Sequence, residues 1–126
     1  MKNFSSGGLI ALMVLALPAC ASVGKPANCT NACEVTVMVA GNTCGAGIAV
    51  APDPLIIEGS AKVTWKVVGD WTFDENGVSS GYIKVMKEKD RYTAVIPGGQ
   101  KGVYVYDVNL LRKGEKCSRD PTIIMH

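Results

Sequence analysis

From residue 34 onward, apolar and polar positions alternate along the chain with period two. Val35, Val37 and Val39 fall on one side, with Thr36, Met38 and Ala40 on the other. Lys62, Thr64 and Lys66 interleave with Val63, Trp65 and Val67, the pattern of a strand with one wet face. Within Val103–Leu110, Tyr104, Tyr106 and Val108 share a side. Shorter runs at Ile48–Val50, Leu55–Glu58, Trp71–Phe73, Tyr82–Met86, Tyr92–Ile96 and Thr122–Met125 predict further strands. Between them stand Pro52-Asp53-Pro54, which must be a bend or an edge, and three turn signals: Gly69-Asp70, Asp74-Glu75-Asn76-Gly77 and Pro97-Gly98-Gly99. No stretch after Cys20 carries a helical period. About seven or eight short strands separated by Gly and Pro turns predict an all-β chain folded as a sandwich or small barrel.

The first residues follow another logic. A polar start holding Lys2 leads into the apolar run Leu9–Leu17 and then Leu17-Pro18-Ala19-Cys20. The run has 9 residues. A membrane span needs about 20, whereas a signal-peptide core is this short. The order resembles a bacterial lipoprotein signal. That resemblance implies cleavage after Ala19 and acyl chains, palmitate among them, on Cys20. Ala19-Cys20-Ala21 also fits an ordinary secretory signal cut after Ala21. Both readings use up Cys20 and place the chain outside the cytoplasm. Ala21 is not an aspartate, so the lipoprotein reading implies the outer membrane, with the domain facing the periplasm. The expected organisation is a signal peptide over 1–19, a lipidated Cys20 with a short tether over 20–33, and a β-sandwich over 34–126.

Removing the first 19 of 126 residues leaves 107, one domain with a modest core. Lys2 leaves with the signal, so the formal charge falls from +2 to +1. With no basic stripe, nucleic acid is not an expected partner.

The order of the strands resembles a cupredoxin, the plastocyanin-like Greek-key sandwich. Pro52–Glu58 looks like the family's proline-containing second strand. Val63–Val68 followed by Trp71–Gly77 looks like its central strand and the segment after it. Gly102-Val103-Tyr104-Val105-Tyr106 looks like the Gly-x-Tyr-x-Phe strand that leads into the copper loop. The family's blue-copper site takes two His, one Cys and a weak Met. By the resemblance, the first His would stand near Trp71 or Thr72, the Cys near Val108 and the second His near Leu111. None of these positions holds a ligand, and the chain's one His is His126. The resemblance therefore implies the fold without the blue-copper site.

Four cysteines remain after Cys20: Cys29, Cys33, Cys44 and Cys117. In an exported chain an even set favours two disulfides over a metal site. A local Cys29–Cys33 bridge would close a small loop at the start of the domain, and Cys44–Cys117 would clip distant segments. Three connectivities are open. Cys44 and Cys117 each precede a short strand by four or five residues, which suits neighbouring parallel strands.

Other chemistry is sparse. Asp70, Asp74, Glu75 and Asn76 are oxygen donors around a turn, but without EF-hand spacing. Met125 and His126, with Met38 or Met86, are soft donors that would suit copper. Trp71 beside Gly69-Asp70 could be an exposed anchor for a partner or a core residue. No nucleophile–base constellation appears. The expected role is a non-catalytic envelope lipoprotein, without a cofactor, that meets an envelope protein or component. The alternative is a periplasmic copper-handling protein with a site unlike blue copper.

Overall fold

The computed structural model describes residues 26–39, 44 and 47–126. Twelve strands run through them: β1 (Ala27–Cys29), β2 (Ala32–Val39), β3 (Ile48–Ala51), β4 (Leu55–Ile57), β5 (Ala61–Val67), β6 (Thr72–Ser79), β7 (Met86–Glu88), β8 (Arg91–Ile96), β9 (Gly102–Val105), β10 (Asp107–Arg112), β11 (Glu115–Arg119) and β12 (Thr122–Met125). They form a five-stranded sheet β3-β2-β5-β8-β7, a four-stranded sheet β9-β12-β4-β1 and a three-stranded sheet β11-β10-β6. The chain is an all-β sandwich. Val35, Val37, Val63, Trp65 and Ile96 of the first sheet meet Leu55, Ile57 and Ile123 of the second and Val78, Val108 and Leu110 of the third in one buried cluster.

One long hairpin serves both smaller sheets. Its closed end pairs β10 with β11, from Val108↔Arg119 to Arg112↔Glu115. Lys113 and Gly114 make its turn with φ of 49° and 83°, the left-handed pair that a tight two-residue hairpin needs. Its open end pairs β9 with β12, from Val105↔Thr122 to Gly102↔Met125. Between the halves, the Tyr106 N–H donates to the Pro121 carbonyl at 3.0 Å while the chain changes sheets. Tyr106 turns into the core, and its ring lies 5.4 Å from that of Trp65. Asp53 supports this corner from the bend between β3 and β4. Its carboxylate takes the Thr122 N–H at 3.1 Å and Arg119 Nη2 at 3.0 Å, while Arg119 Nη1 reaches the Ile48 carbonyl at 2.9 Å.

Several elements differ from the sequence expectation. The strand expected over Val103–Leu110 is divided at Tyr106, because the Pro121 carbonyl takes the Tyr106 amide where the sheets part. A strand not foreseen, β11, contains Cys117. Tyr82–Val85 is irregular rather than extended, and the strand begins at Met86 and runs to the turn at Lys89-Asp90. The tether expected up to Cys33 ends earlier. From Ala27 the chain lies in β1, parallel to β4, and β2 already begins at Ala32. Backbone pairing and the buried Cys29 side chain hold this stretch against the domain.

The turn expected at Asp74–Gly77 is a bulge inside β6. From Val108 to Leu110, two steps along β10, the partner on β6 moves five residues, from Val78 to Phe73. The extra residues fold over Tyr92 of β8. Its hydroxyl accepts the Gly77 N–H at 3.1 Å and shares its proton between the Glu75 and Asp74 carbonyls at 3.1 and 3.3 Å. Phe73 closes the bulge, edge-on to Tyr92 at 5.0 Å. A Cβ on Gly77 would come within 2.4 Å of Phe73 Cβ, so the bulge requires glycine there.

The two buried tyrosines therefore carry different loads. The Tyr106 hydroxyl and Trp65 Nε1 lie beside each other without a well-formed hydrogen bond. Burial holds the Tyr106 phenol far above its ordinary pKa, against a weaker opposite pull from the Trp65 N–H. Removing a hydroxyl that satisfies backbone groups costs about 1–3 kcal/mol, whereas removing an unsatisfied one costs little. Urea unfolding should find Tyr92→Phe destabilised by about that amount and Tyr106→Phe within about 1 kcal/mol of the parent. Equal losses in the two variants would contradict this account of the bulge.

Candidate functional site

The most differentiated part of the surface is the end of the sandwich where β5 leaves, β6 begins and the hairpin turns at Lys113-Gly114. Gly69, with φ 97°, turns the chain back, and Trp71 enters the core at 3% exposure. Thr72 pairs with Leu111 across β6 and β10. Its hydroxyl donates to the Leu111 carbonyl at 3.2 Å. The Arg112 guanidinium covers the Trp71 ring, 5.0 Å from its centroid. Such a contact contributes on the order of 0.5–2 kcal/mol, depending on how far the cation is desolvated.

Of the positions that the cupredoxin resemblance singles out, Trp71, Thr72 and Leu111 lie together at this end, whereas Val108 lies at the other end of β10, opposite Val78 and next to the Tyr106 corner. Trp71 and Val108 are buried, Thr72 is bonded to backbone and Leu111 is half-buried. An open hollow of about 430 Å³ remains at the Trp71 end, lined by Asp70, Thr72, Leu111, Arg112 and Lys113. A second of about 430 Å³ is lined by Trp71 and Phe73 and by Lys66, Lys87, Lys89, Asp90 and Arg91. Lys66 is paired with Glu34 at 2.9 Å.

Trp71 is a core residue, so the reading of it as an exposed anchor is corrected. Its indole would otherwise leave the end of the core open, and Arg112 is the group that meets solvent there. Arg112 was not singled out in the sequence. Its only signal was adjacency to Leu111, and nothing linear linked it to Trp71.

Met125 and His126 do not converge. Met125 is buried in β12, whereas the exposed His126 follows it and donates its backbone N–H to the Ile57 carbonyl at 3.0 Å. Strand alternation sends their side chains to opposite sides. Met38 on β2 and Met86 on β7 have two strands between them, about 14 Å sideways at the usual strand spacing, and Met86 is level with Glu34, four residues along β2 from Met38. Among the described residues, no group of three or more His, Cys, Asp or Glu is placed to hold a metal ion. The acidic turn is bound internally: Asp74 accepts the Glu75 N–H at 2.7 Å, and the Asn76 carbonyl accepts Asn109 Nδ2 at 2.8 Å.

The cysteines form two disulfides. Cys29–Cys33 joins β1 to β2, with Cα atoms 5.8 Å apart. Cys44–Cys117, at 5.5 Å, joins the segment before β3 to β11. The Cys44 N–H also donates to Glu115 Oε2 at 3.0 Å. The following strands, β3 and β12, are not parallel neighbours. They lie in different sheets, and the bridge holds the closed half of the hairpin to the β3 edge. Cys20 lies outside the described residues.

Compared with known protein families and with curated proteins, the chain matches none.

A carboxyl pair missed in the sequence sits where the hairpin bends. Asp107 has its pKa raised by a hydrogen bond to the Asp120 carboxyl, then by slight burial and by the Asp120 charge. The folded state therefore holds this proton more tightly than the unfolded chain does. Linkage then makes stability fall as pH rises from the ordinary aspartate range through the raised value, and level off above it. Asp120→Asn removes the repulsion. Thermal unfolding should show the variant more stable than the parent at pH 7, with the difference closing near pH 3. A parent equal to or above the variant at pH 7 would contradict repulsion within the pair.

Proposed function

We propose that this chain is a non-catalytic lipoprotein of the cell envelope, a cupredoxin-like sandwich in which the copper end is given over to binding. The observation that carries the reading is the substitution at that end. Trp71, Thr72 and Leu111 stand together where the resemblance requires copper ligands, and they offer indole, a backbone-bonded hydroxyl and aliphatic carbon. Val108, where the resemblance requires the Cys, is buried at the other end of β10. Fold and function separate in this way when a scaffold keeps its core and loses its ligands. The partner is an envelope protein or component met by the loops around Arg112 and Lys113. The copper-handling alternative gains nothing from the geometry, because Met125 and His126 point apart.

The anchor follows from the N-terminal residues. With residues 1–19 as signal, Cys20 becomes the lipidated first residue of the mature protein, held on the periplasmic side of the outer membrane. Cys20→Ser should abolish detergent-phase partitioning and leave an uncleaved or soluble product. A serine variant that matures and stays membrane-bound would mean that Ala19-Cys20-Ala21 is a plain secretory signal.

The binding reading is tested with a photo-crosslinking residue in place of Lys113 in the full chain, expressed in its own envelope. The expected result is a discrete adduct that weakens in Arg112→Ala. Copper titration of the same purified chain separates the alternative. A thiolate-to-copper absorption band, or copper affinity that resists removal of Met125 and His126, would overturn the proposal.

A further inference from the structure

The two outer faces of the sandwich differ in charge. On the five-stranded sheet, the outward positions mix Glu34, Lys62, Lys66, Glu88 and Arg91 with the exposed Met38, Met86 and Val95, so charges are interspersed across that face. On the four-stranded sheet they are Val103 and Val105 of β9, Thr122 and Ile124 of β12, Ile56 of β4 and Asn28 of β1. None of these is ionisable. Val103, Ile124, Ile56 and Asn28 share one register row across all four strands. Val103 is 66% exposed and Val105 48%, with Ile124 and Ile56 half-buried beside them. A contiguous apolar row of this kind marks a surface that meets another apolar phase.

The position of the chain's lead-in identifies that phase. Among the described strands, β1 is at the edge of this same sheet. Seven peptide steps separate Cys20 from Ala27, and seven extended residues reach at most about 25 Å. A lipid on Cys20 would keep Ala27, the start of this sheet's β1, within that distance of the bilayer. We infer that the outer face of this sheet, through Val103, Val105, Ile124 and Ile56, rests on the membrane that holds the chain's lipid. The contact adds an apolar surface to the acyl anchor and sets the orientation of the domain. The charged five-stranded face then looks away from the membrane. The inference depends on the lipidation of Cys20 proposed above.

Val95 supplies a matched control. It is the same residue type, 71% exposed, on the outer face of the opposite sheet. The mature chain, purified from membranes, is reconstituted in vesicles of phosphatidylethanolamine and phosphatidylglycerol and exposed to hydroxyl radicals. Mass spectrometry reads oxidation at Val103 and Val95 in one sample and the mass of the N-terminal peptide in the same digest. Val103 should be oxidised severalfold less than Val95, and the difference should persist as the protein is diluted in lipid. With lipid present on Cys20, equal oxidation of the two valines would overturn this inference alone. Protection of Val103 that fades on dilution would mean that a second copy covers the face, and would overturn it too. An N-terminal peptide without lipid would overturn the anchor and this inference together.

Discussion

The structure depends on one constraint: a single hairpin must belong to two sheets. β10 and β11 complete the three-stranded sheet, and the same two chain segments, continued as β9 and β12, begin the four-stranded one. A strand that changes sheets interrupts its own ladder, and buried backbone groups cannot be left unpaired. The Tyr106 amide meets this need through the Pro121 carbonyl, while proline lacks an amide that would need pairing in return. The corner places Tyr106 against Trp65, and Asp53 and Arg119 fasten it from outside. The Cys44–Cys117 bridge then fixes the hairpin's closed half to the opposite layer. In the chain-entropy account, a bridge closing so long a loop contributes several kcal/mol.

The character of the Trp71 end follows from that corner. Because β10 runs out from Tyr106 in register with β6, Leu111 comes to lie opposite Thr72, and Arg112 comes to lie over Trp71. The strand pairing would assemble this end whatever side chains it carried. The side chains decide what it can do, and here they close the interior with carbon and leave cations at the rim.

Much of this was legible where a strand is half wet. β2 and β5 announce themselves by alternation, because one face of each is core and the other is solvent. β11 did not, since Glu-Lys-Cys-Ser-Arg offers Cys117 as its one apolar inward residue. The course of β6 through Asp74–Gly77 was hidden for another reason. Those residues have turn chemistry, and the group that holds them in a strand is the Tyr92 hydroxyl on a different strand. The break at Tyr106 was equally invisible, because its cause is a carbonyl fifteen residues away in sequence. Trp71, Thr72 and Leu111 gather at one end only through the pairing of β6 with β10. Whether Trp71 pointed in or out depended on Arg112, which only the β6–β10 register brings near. Met125 and His126, adjacent in sequence, read as a pair because a linear view does not show that neighbours on a strand diverge.

The Cys29–Cys33 bridge has a mechanical consequence. A pull on the N-terminus first loads β1, which is short and has β4 as its one partner among the described strands. The covalent link passes that force across the loop at Thr30 and Asn31 and into β2 at Cys33. β2 is flanked by β3 and β5, so the load reaches a strand braced on both sides. If β1 peeled away from β4, tension would run from Cys29 through sulfur to Cys33. A load applied at the N-terminal end is thus borne by the broadest sheet and not by the strand to which the lead-in is attached.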